Sequence, residues 1–333
     1  MAKNLKFLES ERTIELPKTI FPKLFAMAET VKGIISLGPG EPDFSTPNHI
    51  IQFAKKKLDE GFTHYSSSGG RPDLKEAIAK KLQKENKISV RDPEKQVIVT
   101  AGSTEALFLA MAGVLDVTEE IIIPNPGFLA YRPMAELISA VPVSLELSDD
   151  DGFQIDPDKI KKLITPKTTA IMLNSPSNPT GTVFKRALLE EIADIAIEKN
   201  LMIFSDEAYE KFVFSGVKHV SIGSFNGMQE NVVTFQSFSK TFAMPGFRVG
   251  YASGPEWLIK DMEKTHVYTS LATSTISQLA ALEAMQNSKS KIAVQKMSNE
   301  YEKRNKFICK RLQEIPEFEL KKKPEGAFYA FPR

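Results

Sequence analysis

The chain has 333 residues, of which 42% are hydrophobic, and its 43 Lys plus Arg against 42 Asp plus Glu leave a formal net charge of +1. That length suits about two domains of roughly 150 residues each, buries a sizeable core and excludes a small scaffold that depends on staples. Balanced charge without a long Lys/Arg block gives no electrostatic ground for binding nucleic acid or an anionic membrane.

Met1 to Leu16 alternates charged and apolar residues without the uninterrupted apolar core of a secretion signal. The most apolar run, Ala106 to Leu115, is about half the length that spans a bilayer. The single cysteine, Cys309, can form neither an intramolecular disulfide nor a multi-cysteine zinc site, and reads as an inert thiol in a reducing compartment. A cytoplasmic protein is expected.

From Gln96 onward, short β-branched runs alternate with longer amphipathic segments. The predicted strands are Val97 to Thr100, Ile121 to Pro124, Val141 to Leu147, Thr169 to Leu173, Leu201 to Ser205, Val232 to Phe235 and Val249 to Ala252. Between them, Glu105 to Leu115 and Lys185 to Lys199 carry apolar residues at helical spacing. The alternation predicts an α/β fold, a mostly parallel sheet sandwiched by helices. Thr275 to Met285 and Ser290 to Ile315 follow as helices, the second long enough to connect two domains. Phe318 to Leu320 and Ala327 to Phe331 read as two short strands around the turn Lys323 to Gly326, beginning a smaller layer.

Ligands of parallel α/β sheets collect at the C-terminal ends of strands, so the residues there carry the functional reading. After Val99 comes Thr100 to Glu105, where Gly102, Ser103 and Thr104 present free N–H groups at a helix start; this suits a phosphate, although Ser or Thr before Glu is also an ordinary cap. After Leu173, two prolines around Asn178 present its amide rigidly, either as a hydrogen-bond donor or as a turn residue serving its own backbone. After Phe204 come Asp206 and Tyr209, a carboxylate able to cap the next helix or to pair with a cationic ring nitrogen. After Phe235 come Ser237, Ser239 and Lys240, with Arg248 eight residues on. Lys240 alone would read as a solvated surface charge; its place in this row of strand-end groups argues otherwise.

The set Ser177 to Gly181, Asp206 to Tyr209, and Ser237 to Lys240 with Arg248 resembles the class I/II aminotransferases of pyridoxal-phosphate fold type I. Leu37 to Pro47 and His64-Tyr65 look like the same family's N-terminal signature, particularly that of prokaryotic aspartate and aromatic aminotransferases. The resemblance implies pyridoxal 5'-phosphate held as a Schiff base on Lys240, with Asp206 against the ring nitrogen, Asn178 and Tyr209 at the ring oxygen and Phe128 stacked on the ring. It places Gly102, Ser103, Thr104, Ser237, Ser239 and Arg248 at the phosphate and Gly40 near the substrate carboxylate. Tyr65 would reach the phosphate of a second subunit, which implies a homodimer with shared sites. Lys240 would act as nucleophile and then as the acid/base that moves the substrate proton, in a ping-pong exchange between an L-amino acid (aspartate, glutamate or aromatic) and a 2-oxo acid. A β-lyase of the same fold, or an impaired cofactor-binding protein with a regulatory or scaffolding role, are the alternatives.

The chain is expected to divide into an N-terminal arm with part of a small domain (1–44), a large cofactor-binding domain (45–288) and the beginning of a small domain (289–333). Family members continue beyond Glu325 to Tyr329 and there carry an arginine for the substrate α-carboxylate. Arg333 stands too near that segment to take the role, so a C-terminal truncation is expected, leaving Phe328, Tyr329 and Phe331 poorly covered. His49, His64, His219 and His266 lack metal-ligand spacing, so no metal is expected. Trp257 and Phe21 to Phe25 read as packing, although the resemblance puts the latter near the pocket entrance, and the charges of Ser290 to Gln313 read as a solvated helix face.

Overall fold

The computed structural model describes residues 10–14, 16–18, 26–27, 30–31, 33, 37 and 40–333. Gly38 and Pro39 of the N-terminal motif, and Phe21 to Phe25, lie outside the described residues. Seven strands form one sheet: β1 (Val97–Thr100), β2 (Glu120–Asn125), β3 (Val141–Glu146), β4 (Thr168–Asn174), β5 (Met202–Asp206), β6 (Val232–Ser237) and β7 (Gly250–Ser253). Their order is β1-β7-β6-β5-β4-β2-β3, and β7 alone runs antiparallel to its neighbours, β6 and β1. The other pairings are parallel, as the strand–helix alternation predicts.

Among the described residues, the helices of seven or more residues are α1 (Asn48–Asp59), α2 (Pro72–Lys81), α3 (Ser103–Val114), α4 (Tyr131–Leu137), α5 (Pro157–Leu163), α6 (Arg186–Lys199), α7 (Glu256–Thr269), α8 (Thr275–Gln286) and α9 (Ser288–Gln313). Alternate residues of each central strand serve opposite faces. Met202 and Phe204 of β5 pack with Leu107, Met111 and Met262 under α3 and α7, while Ile203 packs with Leu189 and Ile192 of α6. A sheet buried on both sides must be apolar on both, which is why its strands read as continuous hydrophobic runs. Each fully buried Phe or Ile there contributes about 1.5–3 kcal/mol. Around β1 and β7, a third cluster joins Ile50, Leu74 and Ala280 of α1, α2 and α8 to Val99 and Tyr251.

The chain's last residues depart from expectation. Phe318 to Leu320 and Ala327 to Phe331 form no strands: Gly326 makes one isolated antiparallel bridge to Val213, and Glu319 and Arg333 exchange two backbone hydrogen bonds. Without a run of neighbouring partners, neither segment extends a ladder. Phe328 and Tyr329 are also better covered than expected, because they pack with Tyr209, Phe212 and Tyr301 in a fourth cluster that includes Phe44 and Met297 of α9; Phe331 stays exposed. Trp257, expected to pack, is 44% exposed in the first turn of α7. Cys309 is buried, and burial pushes its thiol pKa up. No described helix is long and apolar enough to cross a membrane.

Candidate active site

The C-terminal ends of β1, β4, β5 and β6 open onto one cavity of about 700 Å³. Gly40, Ser103, Thr104, Phe128, Asn178, Asp206, Tyr209, Ser237, Ser239, Lys240 and Arg248, all anticipated from sequence, line it. The volume lies within the range of about 300–1,000 Å³ usual for small-molecule sites. Tyr65 does not line this chain's cavity and is 84% exposed.

Lys240 sits in a single helical turn, Phe238–Thr241, directly after β6, and the Ser237 side chain caps that turn by accepting from the Ser239 N–H. The Lys240 ammonium donates to the Gly40 carbonyl at 2.5 Å and lies 5.7 Å from the ring centroids of Tyr209 and Phe328. Burial is the main reason that its pKa falls to about 8; Arg248 lowers it further, while Glu41 and Asp206 oppose. An amine of that basicity is free of its proton in about a tenth of molecules at pH 7, far more often than an ordinary lysine, and a nucleophile or base requires that form.

Asp206 ends β5 and is buried. One carboxylate oxygen accepts from the Tyr131 hydroxyl at 2.6 Å and the other from the Ala208 N–H at 3.1 Å. Burial raises its pKa, against the Tyr131 and Ala208 hydrogen bonds and the charge of Lys240. No helix follows for it to cap, so the capping alternative falls. Asn174, the last residue of β4, holds the loop after it: its amide donates to the Asp206 carbonyl at 3.0 Å and its oxygen accepts from the Asn178 N–H at 2.7 Å. Asn178 thereby presents its own side chain to Tyr209. Burial and then Tyr329 push the Tyr209 phenol well above its ordinary pKa, and the Asn178 hydrogen bond opposes them.

At the other end of the cavity, α3 starts without a side-chain cap, so the Ser/Thr capping alternative is not realised; Glu105 instead turns back and accepts from the Ala101 N–H at 2.6 Å. Gly102 has φ +89°, and a Cβ there would lie 2.5 Å from a terminal nitrogen of Arg248. Gly250 is as confined, since its Cβ would meet the Ser103 nitrogen at 2.4 Å. Backbone, guanidinium and helix N-terminus thus close on one another with no side chain between. Arg248 donates to the carbonyls of Pro245 and Ala101 and has no carboxylate partner among the described residues, leaving a positive concavity suited to a phosphate.

Two residues of the site, Tyr131 and Tyr329, were not anticipated from the sequence. Tyr131, the donor to Asp206, stands one helical turn beyond Phe128 and meets its ring edge-on at 5.4 Å, but nothing in its own sequence marks it. Tyr329 bonds the Tyr209 hydroxyl at 2.7 Å, and its ring fills the space a Gly40 side chain would need. The Gly326-Ala327-Phe328-Tyr329 run was the available signal.

A buried amine of lowered basicity, a buried carboxylate across the cavity and a cationic cradle suited to a phosphate are the equipment of an α/β enzyme for carbonyl or amine chemistry. The family model for aminotransferase class I and II matches residues 32–333, and the chain belongs to that family. It is 45% identical to aspartate aminotransferase of Pyrococcus abyssi over 93% of this chain and 79% of that one. It has the same identity and coverages with aromatic-amino-acid aminotransferase 2 of Thermococcus litoralis. The crystal structure of an aromatic aminotransferase from Pyrococcus horikoshii superposes with a TM-score of 0.87 at 43% identity, covering 93% of this chain and 82% of that one.

Proposed function

We propose that this aminotransferase uses pyridoxal 5'-phosphate and exchanges an amino group between an L-amino acid, aspartate, glutamate or aromatic, and a 2-oxo acid. The observation that carries the reading is Lys240, an amine with a pKa of about 8 in one cavity with buried Asp206 and with Arg248, which closes on Gly102. When bound, the cofactor supplies an aldehyde for amines and a protonated ring that takes up the electron pair of a substrate Cα–H bond.

The residues fit that ligand. Arg248, the N–H groups of Ser103 and Thr104, and the hydroxyls of Ser237 and Ser239 would hold the phosphate; Phe128 would lie against the ring. Asp206 would hold the ring nitrogen's proton, with Tyr131 fixing its carboxylate. Asn178 and Tyr209 would donate to the ring oxygen, and Tyr329 orients Tyr209. Lys240 Nζ would bind the aldehyde and afterwards carry the proton between substrate Cα and cofactor. Gly40 would stand near the substrate carboxylate, with the Tyr329 ring in the space beside its Cα and its carbonyl holding Nζ meanwhile.

A homodimer belongs to this proposal: exposed Tyr65 would serve the phosphate of a second copy. So does the division into residues 1–44, a cofactor-binding body over 45–288 and a small domain from 289. The relatives' names supply aspartate and aromatic amino acids as substrates to try. Borohydride reduction of the cofactor-saturated protein followed by peptide mapping should label Lys240, and mixing with aspartate and 2-oxoglutarate should yield glutamate. Label on another lysine refutes the site. Ammonia released from one amino acid without an acceptor would make the chain a lyase.

A further inference from the structure

We propose that Glu207 and Glu210, clamped by Asn86, Gln236 and His219, are positioning residues that set Asp206 and Tyr209 for amino transfer; this rests on the site reading above. Glu207 follows Asp206, Glu210 follows Tyr209, and Gln236 precedes Ser237. In each pair one side chain lines the cavity and its neighbour turns away from it, and the three that turn away meet in a buried knot on the far side.

Nine donor contacts converge on four carboxylate oxygens. Glu207 Oε1 accepts from Ser205 Oγ at 2.9 Å and Ser221 Oγ at 2.5 Å; Oε2 accepts from His219 Nε2 at 2.9 Å, Asn86 Nδ2 at 3.3 Å and Gln236 Nε2 at 3.4 Å. Glu210 Oε1 meets Lys81 Nζ at 2.5 Å and Lys211 Nζ at 3.2 Å, and Oε2 accepts from Asn86 Nδ2 at 2.6 Å and Gln236 Nε2 at 2.9 Å. Glu207, Glu210 and His219 bring ligand atoms within 4.8 Å of one another, as a metal site would. Seven donor groups already occupy those oxygens through the nine contacts, so the cluster is a polar clamp.

The local fold builds it. After α2 the chain makes a π turn, Leu82–Asn86, ended by Lys87 at φ 62°. Residues five apart on an α-helix point about 140° apart; the wider π turn narrows that angle, and Lys81 and Asn86 reach the same carboxylate. Asn86 and Gln236 each bridge both glutamates, tying β5 and β6 to the end of α2. The charged and titratable groups facing the knot are Lys81, Lys211 with its partner Glu85, His219, Tyr251 and Asp206. Burial opposes ionisation of Glu210, yet Lys81, Lys211 and His219 hold its pKa far below the ordinary range. With a donor on each of its four carboxylate oxygens, the knot favours one arrangement, and it fixes the backbone from which Asp206 and Tyr209 project.

The test uses the full chain loaded with pyridoxal phosphate. Borohydride labelling of wild-type Lys240 comes first; its failure overturns the underlying reading and this proposal with it. With labelling established, His219→Ala should move the pH midpoint of the cofactor's absorbance by about 0.5 or more. It should also lower kcat about tenfold with aspartate and 2-oxoglutarate, leaving KM within about threefold. His219→Gln, whose amide can donate to the same oxygen, should recover most of both, and Asn86→Ala should exceed His219→Ala. A midpoint and kcat matching wild type in labelled His219→Ala, or equal losses in the Gln and Ala variants, overturn the proposal. If Asn86→Ala does not fold, the His219 pair decides alone.

Discussion

Tyr131→Phe removes one oxygen from the interior and tests how Asp206 is held. The Tyr131 hydroxyl donates at 2.6 Å to a carboxylate whose other oxygen has only the Ala208 N–H. A buried hydrogen bond to a charged group contributes about 1.5–3 kcal/mol, so its loss raises the folded-state pKa of Asp206 by about one to two. Burial already holds that pKa above its unfolded value, so the unfolded chain releases the Asp206 proton first and stability falls as pH rises between the two values. The variant extends this window upward. Its extra cost is small below the wild-type folded pKa, grows as pH rises through it, and is complete above the variant's pKa. At about 2 °C per kcal/mol for a chain of this size, the cofactor-free variant should melt about 3–6 °C below wild type at pH 8 and closer to it at pH 4. Calorimetry across that range is the assay. A deficit independent of pH, or none at pH 8, would show that Tyr131 does not stabilise an anionic Asp206.

Lys240→Met should retain the fold but lose transamination by at least about 10⁴-fold, since it removes both nucleophile and proton carrier; residual turnover above about 1% in a coupled assay contradicts the assignment. In cofactor-free wild type, the rate of aldehyde attachment to Lys240 should rise with pH as the amine loses its proton, with a midpoint near about 8; stopped-flow absorbance giving a midpoint near an ordinary lysine's would remove the argument for an activated amine. Gly102→Ala puts a Cβ against Arg248 at a left-handed φ and should weaken cofactor affinity about 10- to 100-fold, read by titration. Unchanged affinity would mean that the cradle is not the phosphate site.

The strands of the sheet and most of the polar residues that line the cavity are legible in the sequence alone. Every predicted sheet strand formed within two residues or so of its reading, because a strand buried on both faces must be an uninterrupted apolar run and its end must break that run with polar residues. Those breaks, at Ser103 and Thr104, Asn178, Asp206 and Ser237 to Lys240, are where the cavity lies, so position along the chain is enough to select them. Tertiary structure decided what depends on approach between distant segments. Tyr131 reaches Asp206 across 75 positions, Tyr329 reaches Tyr209 across 120, and Asn86 reaches Glu207 across 121; no local period records such meetings. The segment Ala327 to Phe331 shows the converse: its composition suits a strand, but a strand exists only where a neighbour supplies a continuous ladder, and here the isolated bridge of Val213 stops at the preceding Gly326. The basicity of Lys240 belongs to the same class, since the burial that lowers it is assembled from the Gly40, Tyr209, Asp206 and Phe328 segments and is encoded in none of them alone.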